Sequence, residues 1–161
     1  MRMELIQPFI NAADAVLATS LNAPTSIADV SMDEQTYRRK GLAALVSING
    51  DIEGRVIFDL DEPTAAKVAA ALAGGDVAGS PEILRDTIFE LANQVIGNAV
   101  TSLNDQGFRF HISPPQEHTH DYGMAGSEDT EALVMCFDTA GGRVFMNIAM
   151  RYNRRRKHET D

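Results

Sequence analysis

The chain has 161 residues, 44% hydrophobic and 23% charged, with a formal net charge of −9, the proportions of one soluble domain with a real core. The excess of acid excludes a general nucleic-acid binder. No apolar run reaches the length of a membrane span and no basic-then-apolar leader pattern opens the chain, so no membrane partner is expected. The single cysteine, Cys136, cannot form an internal disulfide; a reducing, cytoplasmic setting fits it.

In chain order, residues 4–21 carry Leu5, Ile6, Phe9, Ile10, Ala13, Val16, Leu17 and Leu21 at helical spacing and predict an amphipathic helix. Strand-like runs follow near 26–33, 42–49 and 52–60, the last two flanking Asn49-Gly50-Asp51, a hairpin signal. Asp61-Glu62-Pro63 starts a short Ala-rich helix that stops at Gly74-Gly75. Ser80-Pro81-Glu82 combines a capping hydroxyl, a first-turn proline and an acid at the positive helix end. It predicts a long helix to about Leu103. Further strands are expected at 108–113, 131–139 and 143–152, with a polar loop over 114–130. A domain over 1–152 and a basic, flexible tail over 153–161 complete the expected organisation.

Both halves thus read helix, then three strands. Ala18-Thr19-Ser20-Leu21-Asn22 parallels Val100-Thr101-Ser102-Leu103-Asn104 at an offset of 82. Leu45-Val46 and Gly54-Arg55-Val56 parallel Leu133-Val134 and Gly142-Arg143-Val144 at an offset of 88. The second copy therefore carries a longer loop, placed over 116–128. Such a duplication predicts a pseudo-twofold α/β (α+β) domain with a mostly antiparallel sheet, and makes the helix at 62–73 an insertion.

The long helix has an unusual stripe. Asp86, Glu90, Asn93 and Gly97 are spaced by four, three and four and share one face. The opposite face, with Ile83 or Leu84, Ile88, Leu91, Val95, Ala99 and Leu103, is furnished for burial. A solvated surface is the plain reading of such a stripe. Against it, glycine inside a helix costs about 1 kcal/mol relative to alanine, and asparagine is a poor mid-helix residue but a useful oriented donor and acceptor. An acid and an amide one turn apart, with open approach over Gly97, suit docking of a cation and positioning of a water. Neither residue is a nucleophile by itself.

These residues resemble the motif of the CheC/CheX chemotaxis phosphatases, more closely the CheX type: Asp or Ser, three residues, Glu, two residues, Asn on an exposed helix, with a proline downstream. Glu90-Leu91-Ala92-Asn93, Ile96-Gly97-Asn98-Ala99 and Gln7-Pro8-Phe9-Ile10-Asn11-Ala12-Ala13 look like family text. Ser113-Pro114-Pro115 resembles the proline segment, with one residue fewer between Asn93 and Pro115 than the family spacing. The resemblance implies dephosphorylation of a CheY-type response regulator. Glu90 would pair with the regulator's lysine, and Asn93 would hold a water in line with phosphorus. Asp86 and Gly97 would serve docking. It implies no cofactor on this chain, Mg²⁺ in the partner, and a homodimer. A docking module without turnover and a purely structural dimerisation domain stay open as alternatives.

The repeat places Asn11 on Asn93, Pro8 on Glu90 and Ala15 on Gly97. Pro8 fits a first-turn or pre-helix position, so one active face is expected, on 86–97. Glu117-His118-Thr119-His120-Asp121 is too sparse a ligand set to predict a metal. Cys136, in an apolar strand, is expected to be inert.

Overall fold

The long apolar periodicities become helices, and the short ones become strands of a single sheet. The computed structural model describes residues 3–33, 40–73, 80–117 and 132–153. In order come α1 (Met3–Leu21), β1 (Ser26–Asp33), β2 (Leu42–Gly50), β3 (Ile52–Leu60), α2 (Glu62–Ala73), α3 (Pro81–Asp105), β4 (Phe110–Ile112), β5 (Gln116–Glu117), β6 (Ala132–Thr139) and β7 (Gly142–Tyr152). Gly74-Gly75, His118 to Asp121 and the basic tail from Arg154 lie outside the described residues. Asn153, the first residue assigned to that tail, is hydrogen-bonded to the β2–β3 turn through its N–H to the Asp51 carbonyl, 2.9 Å, and its side chain to the Gly50 carbonyl, 3.0 Å.

The seven strands form one sheet in the order β1-β6-β7-β3-β2-β4, with β5 also on β2. Every pairing is antiparallel. The order is that of a duplication with exchanged arms. The two third strands, β3 and β7, meet at the centre, where Phe58 lies opposite Met146; these residues are 88 apart, so the pseudo-axis passes between them. Each copy's first strand leaves its own unit and pairs with the other's second strand, β1 with β6 and β4–β5 with β2.

Register also locates the extra residues. Met32 pairs with Leu133, and Gln116 pairs with Leu45. Leu45 and Leu133 are equivalent, so Met32 and Gln116 are too, at an offset of 84. Of the six residues by which the offset grows, two enter between the helix and its first strand. Four enter between Glu117 and Ala132.

The expected loop over 114–130 hides β5. Pro114 and Pro115 lack amide donors and split the second copy's first strand in two. Across the break the Ser113 N–H donates to the Ser47 carbonyl, 2.9 Å, and the Ser113 hydroxyl accepts from the Ser47 N–H, 2.9 Å. The two residues of β5 have no apolar pattern; their strand character comes from backbone pairing to β2 alone.

The helices cover one sheet face. The main core joins Leu5, Phe9 and Leu17 of α1, Val68 of α2, and Ile88, Leu91 and Val95 of α3 to Val56 and Phe58, Met135 and Phe137, and Met146 and Ile148 of the central strands. On the other face Ala43 and Ile57 are buried beside Leu45, Val134 and Phe145. Arg55, Asp59 and Asn147 are buried there as well. Arg55 is hydrogen-bonded to the Asn147 carboxamide, and Asp59 accepts from the Lys40 and Gly41 N–H groups, as buried polar groups require. Cys136 is buried, and desolvation raises its thiol pKa.

Candidate functional site

Local chemistry aims the stripe outward. Ser80 is extended and its hydroxyl accepts from the Ile83 N–H at 3.4 Å; Pro81 opens the helix, where no intrahelical donor is lost. The far end runs two residues beyond Leu103. There the positive φ of Gly107, 98°, allows the reversal in which Gly107 and Phe108 donate to the carbonyls of Asn104 and Leu103, 2.9 and 3.1 Å. Between these ends α3 buries Ile88, Leu91, Ala92, Val95, Ile96, Ala99 and Leu103. Leu84, not Ile83, turns to the core; Ile83 is exposed.

The four stripe residues come out as one surface. Asp86, Glu90 and Asn93 are exposed, and Gly97 is partly so. A Cβ added at Gly97 meets nothing within 4 Å, so the glycine serves no internal packing need. Its carbonyl accepts from the Thr101 hydroxyl at 3.0 Å. Asp86 faces Arg85 at 3.7 Å, both exposed, an ion pair of small worth in water. Among the described residues, the Glu90 carboxylate and the Asn93 carboxamide have no hydrogen-bond or ion-pair partner. Their capacity is unspent.

The charge around them is lopsided. On α1, Glu4 and Asp14 stand with no Lys or Arg; on α3, Glu82, Asp86, Glu90 and Asp105 face Arg85 alone. The helical layer is therefore an acidic surface suited to a basic partner. Among the described residues no group of three or more His, Cys, Asp and Glu side chains could hold a metal ion. His118 and His120 fall outside them. Among the described residues no helix is long and apolar enough to cross a membrane.

The first helix is the internal reference. Under the 82-residue offset its buried Ile6, Phe9, Ile10, Ala13 and Leu17 coincide with buried Ile88, Leu91, Ala92, Val95 and Ala99. The outer faces diverge. Pro8 lies in the second turn, inside the helix and buried, rather than ahead of it; its exposed counterpart is Glu90. Ala12 and Val16 are buried where Gln94 and Asn98 are exposed. Asn11 is exposed, but its carboxamide oxygen accepts from Gln7 Nε2 at 2.9 Å. Of the two helices, α3 is the one on which, among the described residues, acid, unpartnered amide and open approach are brought together. The motif did not reveal the Gln7–Asn11 bond, nor Phe89 in the place of Gln7, although the repeat aligns these positions.

Fold and surface together define a class: a duplicated, strand-exchanged α/β domain that presents the Asp86, Glu90, Asn93 and Gly97 stripe on an open helix face. The family described as Chemotaxis phosphatase CheX matches residues 42–138, more than half of the chain. The protein belongs to the CheX family. CheY-P phosphatase CheX of Thermotoga maritima is 33% identical over 75 residues, 46% of this chain and 48% of that one, so the match spans about half the length of that relative. CheX in the CheX–CheY–BeF3–Mg²⁺ complex from Borrelia burgdorferi is 30% identical, with a TM-score of 0.76 over 93% of this chain and 99% of that one. A CheC-like superfamily protein from Shewanella sp. PV-4, 20% identical, shares the fold with a TM-score of 0.79 over 94% and 99% of the two chains.

Proposed function

We propose that the protein hydrolyses the aspartyl phosphate of a CheY-type response regulator, with Glu90 and Asn93 as its reactive pair. The observation that carries the reading is this acid–amide pair, exposed and without a partner among the described residues, on the helix of a CheX-family domain. The name of the Thermotoga relative and the CheY-bound state of the Borrelia relative support it. BeF3 mimics a phosphoryl group, so the latter complex has the composition of an enzyme with its substrate.

The chemistry asks little of this chain beyond placement. Glu90 pairs with a lysine at the rim of the regulator's phosphorylation site and fixes the helix against it. The Asn93 carboxamide enters that site and hydrogen-bonds a water in line with phosphorus. Water oxygen bonds to phosphorus as the phosphorus–oxygen bond to the aspartate breaks; the electron pair stays on the carboxylate, and the water's proton leaves with phosphate or solvent. Charge on the phosphoryl oxygens is met by Mg²⁺ held in the regulator, so this chain needs no cofactor of its own. Positioning and a prepared electrostatic environment are the whole contribution. Asp86 extends the acidic contact and Gly97 admits the partner's rim.

Action in the cytoplasm and association as a homodimer belong to the same proposal. The exposed Ile27 and Val30 on edge strand β1 are compatible with a second copy at that edge. Sedimentation at micromolar concentration tests the dimer. For the activity, decay of phosphorylated regulators from the source organism is followed with and without the protein. Faster decay with stoichiometric phosphate release is expected. Tight binding without faster decay would leave a docking module in its place.

A further inference from the structure

The two helices differ one turn before the shared asparagine. On α1 that place is Gln7, and its amide is hydrogen-bonded to Asn11 at 2.9 Å. On α3 it is Phe89, which is partly buried and packs against the main core. Helical side chains lean toward the N-terminus, so a residue meets its neighbours at i−4 and i−3. For Asn93 these are Phe89 and Glu90; Gly97, on the other side, offers no side chain at all. Phe89 has no hydrogen-bonding group to give. An acceptor that is already satisfied has less capacity to orient a water.

We propose that Phe89 is a positioning residue for Asn93. It fills with a core-anchored, non-bonding ring the i−4 place, the one from which Gln7 bonds the equivalent asparagine on α1. The amide is thereby held from one side and left free for the attacking water. The inference rests on the phosphatase reading and adds a residue that the Glu–Asn motif does not contain. It also accounts for the outer face of α1, where the opposite choice is made and one acceptor site of the asparagine is engaged by Gln7.

The test copies one helix onto the other. Phe89→Gln recreates the Gln7–Asn11 pair at 89 and 93, and Phe89→Leu keeps the place apolar. Turnover of a phosphorylated regulator is measured for both, with side-chain amide NMR of the isolated protein to detect the new bond. In Phe89→Gln, the side-chain amide of residue 89 should show the slowed solvent exchange expected of Gln7, whose amide donates to Asn11 at 2.9 Å. There kcat should fall by about tenfold or more at unchanged KM, as expected when a group acts in the transition state and not in docking. Phe89→Leu should keep most of kcat. Equal losses in the two variants, a bond formed without loss of kcat, or no bond at all each overturn the inference. Asn93→Ala in the same assay separates the two levels. If wild-type turnover is absent or indifferent to Asn93→Ala, the phosphatase reading falls and this inference with it. If turnover needs Asn93 but ignores Phe89→Gln, this inference alone falls.

Discussion

The helices α1 and α3 descend from one pattern and bury equivalent residues, yet they present different chemistry. Five buried positions coincide under the repeat, so the core treats the two as the same object. On the outside, α3 shows Glu90 where α1 buries Pro8, and a bare Gly97 where α1 has Ala15. Among the described residues, one asparagine has no hydrogen-bond partner and the other is bonded to Gln7. Fold demands fix the inner faces. What differs is the outer arc, and there a few positions separate the proposed reactive surface of α3 from the outer face of α1.

The comparison is broken most severely by Asn93→Ala. On the proposed mechanism, loss of this water-positioning group should cut turnover by on the order of 10²-fold. The residue is exposed, so urea unfolding should stay close to wild type. Rapid-mixing decay of the phosphorylated regulator is the measurement, and an unchanged rate would move the active centre off α3. Glu90→Ala should act earlier in the cycle, raising KM by roughly tenfold at low salt. Added salt should narrow the gap from wild type, since a charge contact across an open interface is screened. A lower kcat at unaltered KM would instead put Glu90 in the chemical step.

How much of this was legible beforehand follows from which forces write into sequence. Helix and strand positions came from apolar periodicity, and α3 was marked further by Ser80 and Pro81. The duplication and its longer second loop were legible because Leu45-Val46 and Gly54-Arg55-Val56 recur. The exchange of β1 and β4–β5 between copies was not, because strand pairing depends on partners distant in the chain. Nor was β5, whose two polar residues are strand only by backbone bonding to β2. Glu90 and Asn93 were legible as a motif. Their freedom from partners, and the Gln7–Asn11 bond, are properties of side chains in space. Pro8 misled for a related reason: proline favours a helix start, but packing here holds it in the second turn.

Gly97 sharpens the comparison by separating stability from function. An added Cβ meets nothing, so Gly97→Ala, which copies Ala15, should stabilise the protein by about 1 kcal/mol through helix propensity. Gly97→Leu should fold as well but hinder the partner's rim, raising KM several-fold. Denaturation midpoints and saturation curves on both variants check it. A destabilised Gly97→Ala would mean that the glycine is needed by the fold.

The smallest effect is expected at Asn11. It is the residue most like Asn93, in the same place on an equivalent helix, so a duplicated enzyme with two working faces would lose activity on its removal. The local chemistry argues otherwise. Its carboxamide oxygen is taken by Gln7, the acid that should stand three residues earlier is a buried proline, and Ala15 occupies the open position. No lysine on a partner finds a carboxylate there. Stability should barely change, because losing one exposed hydrogen bond costs about 0.5 kcal/mol while alanine gains about as much in helix propensity over asparagine. Asn11→Ala is therefore expected to match wild type in kcat, KM and unfolding, beside an Asn93→Ala that has lost nearly all turnover. A comparable loss of activity in a folded Asn11→Ala protein would show that α1 is a second working face, and that the difference between the helices lies in degree.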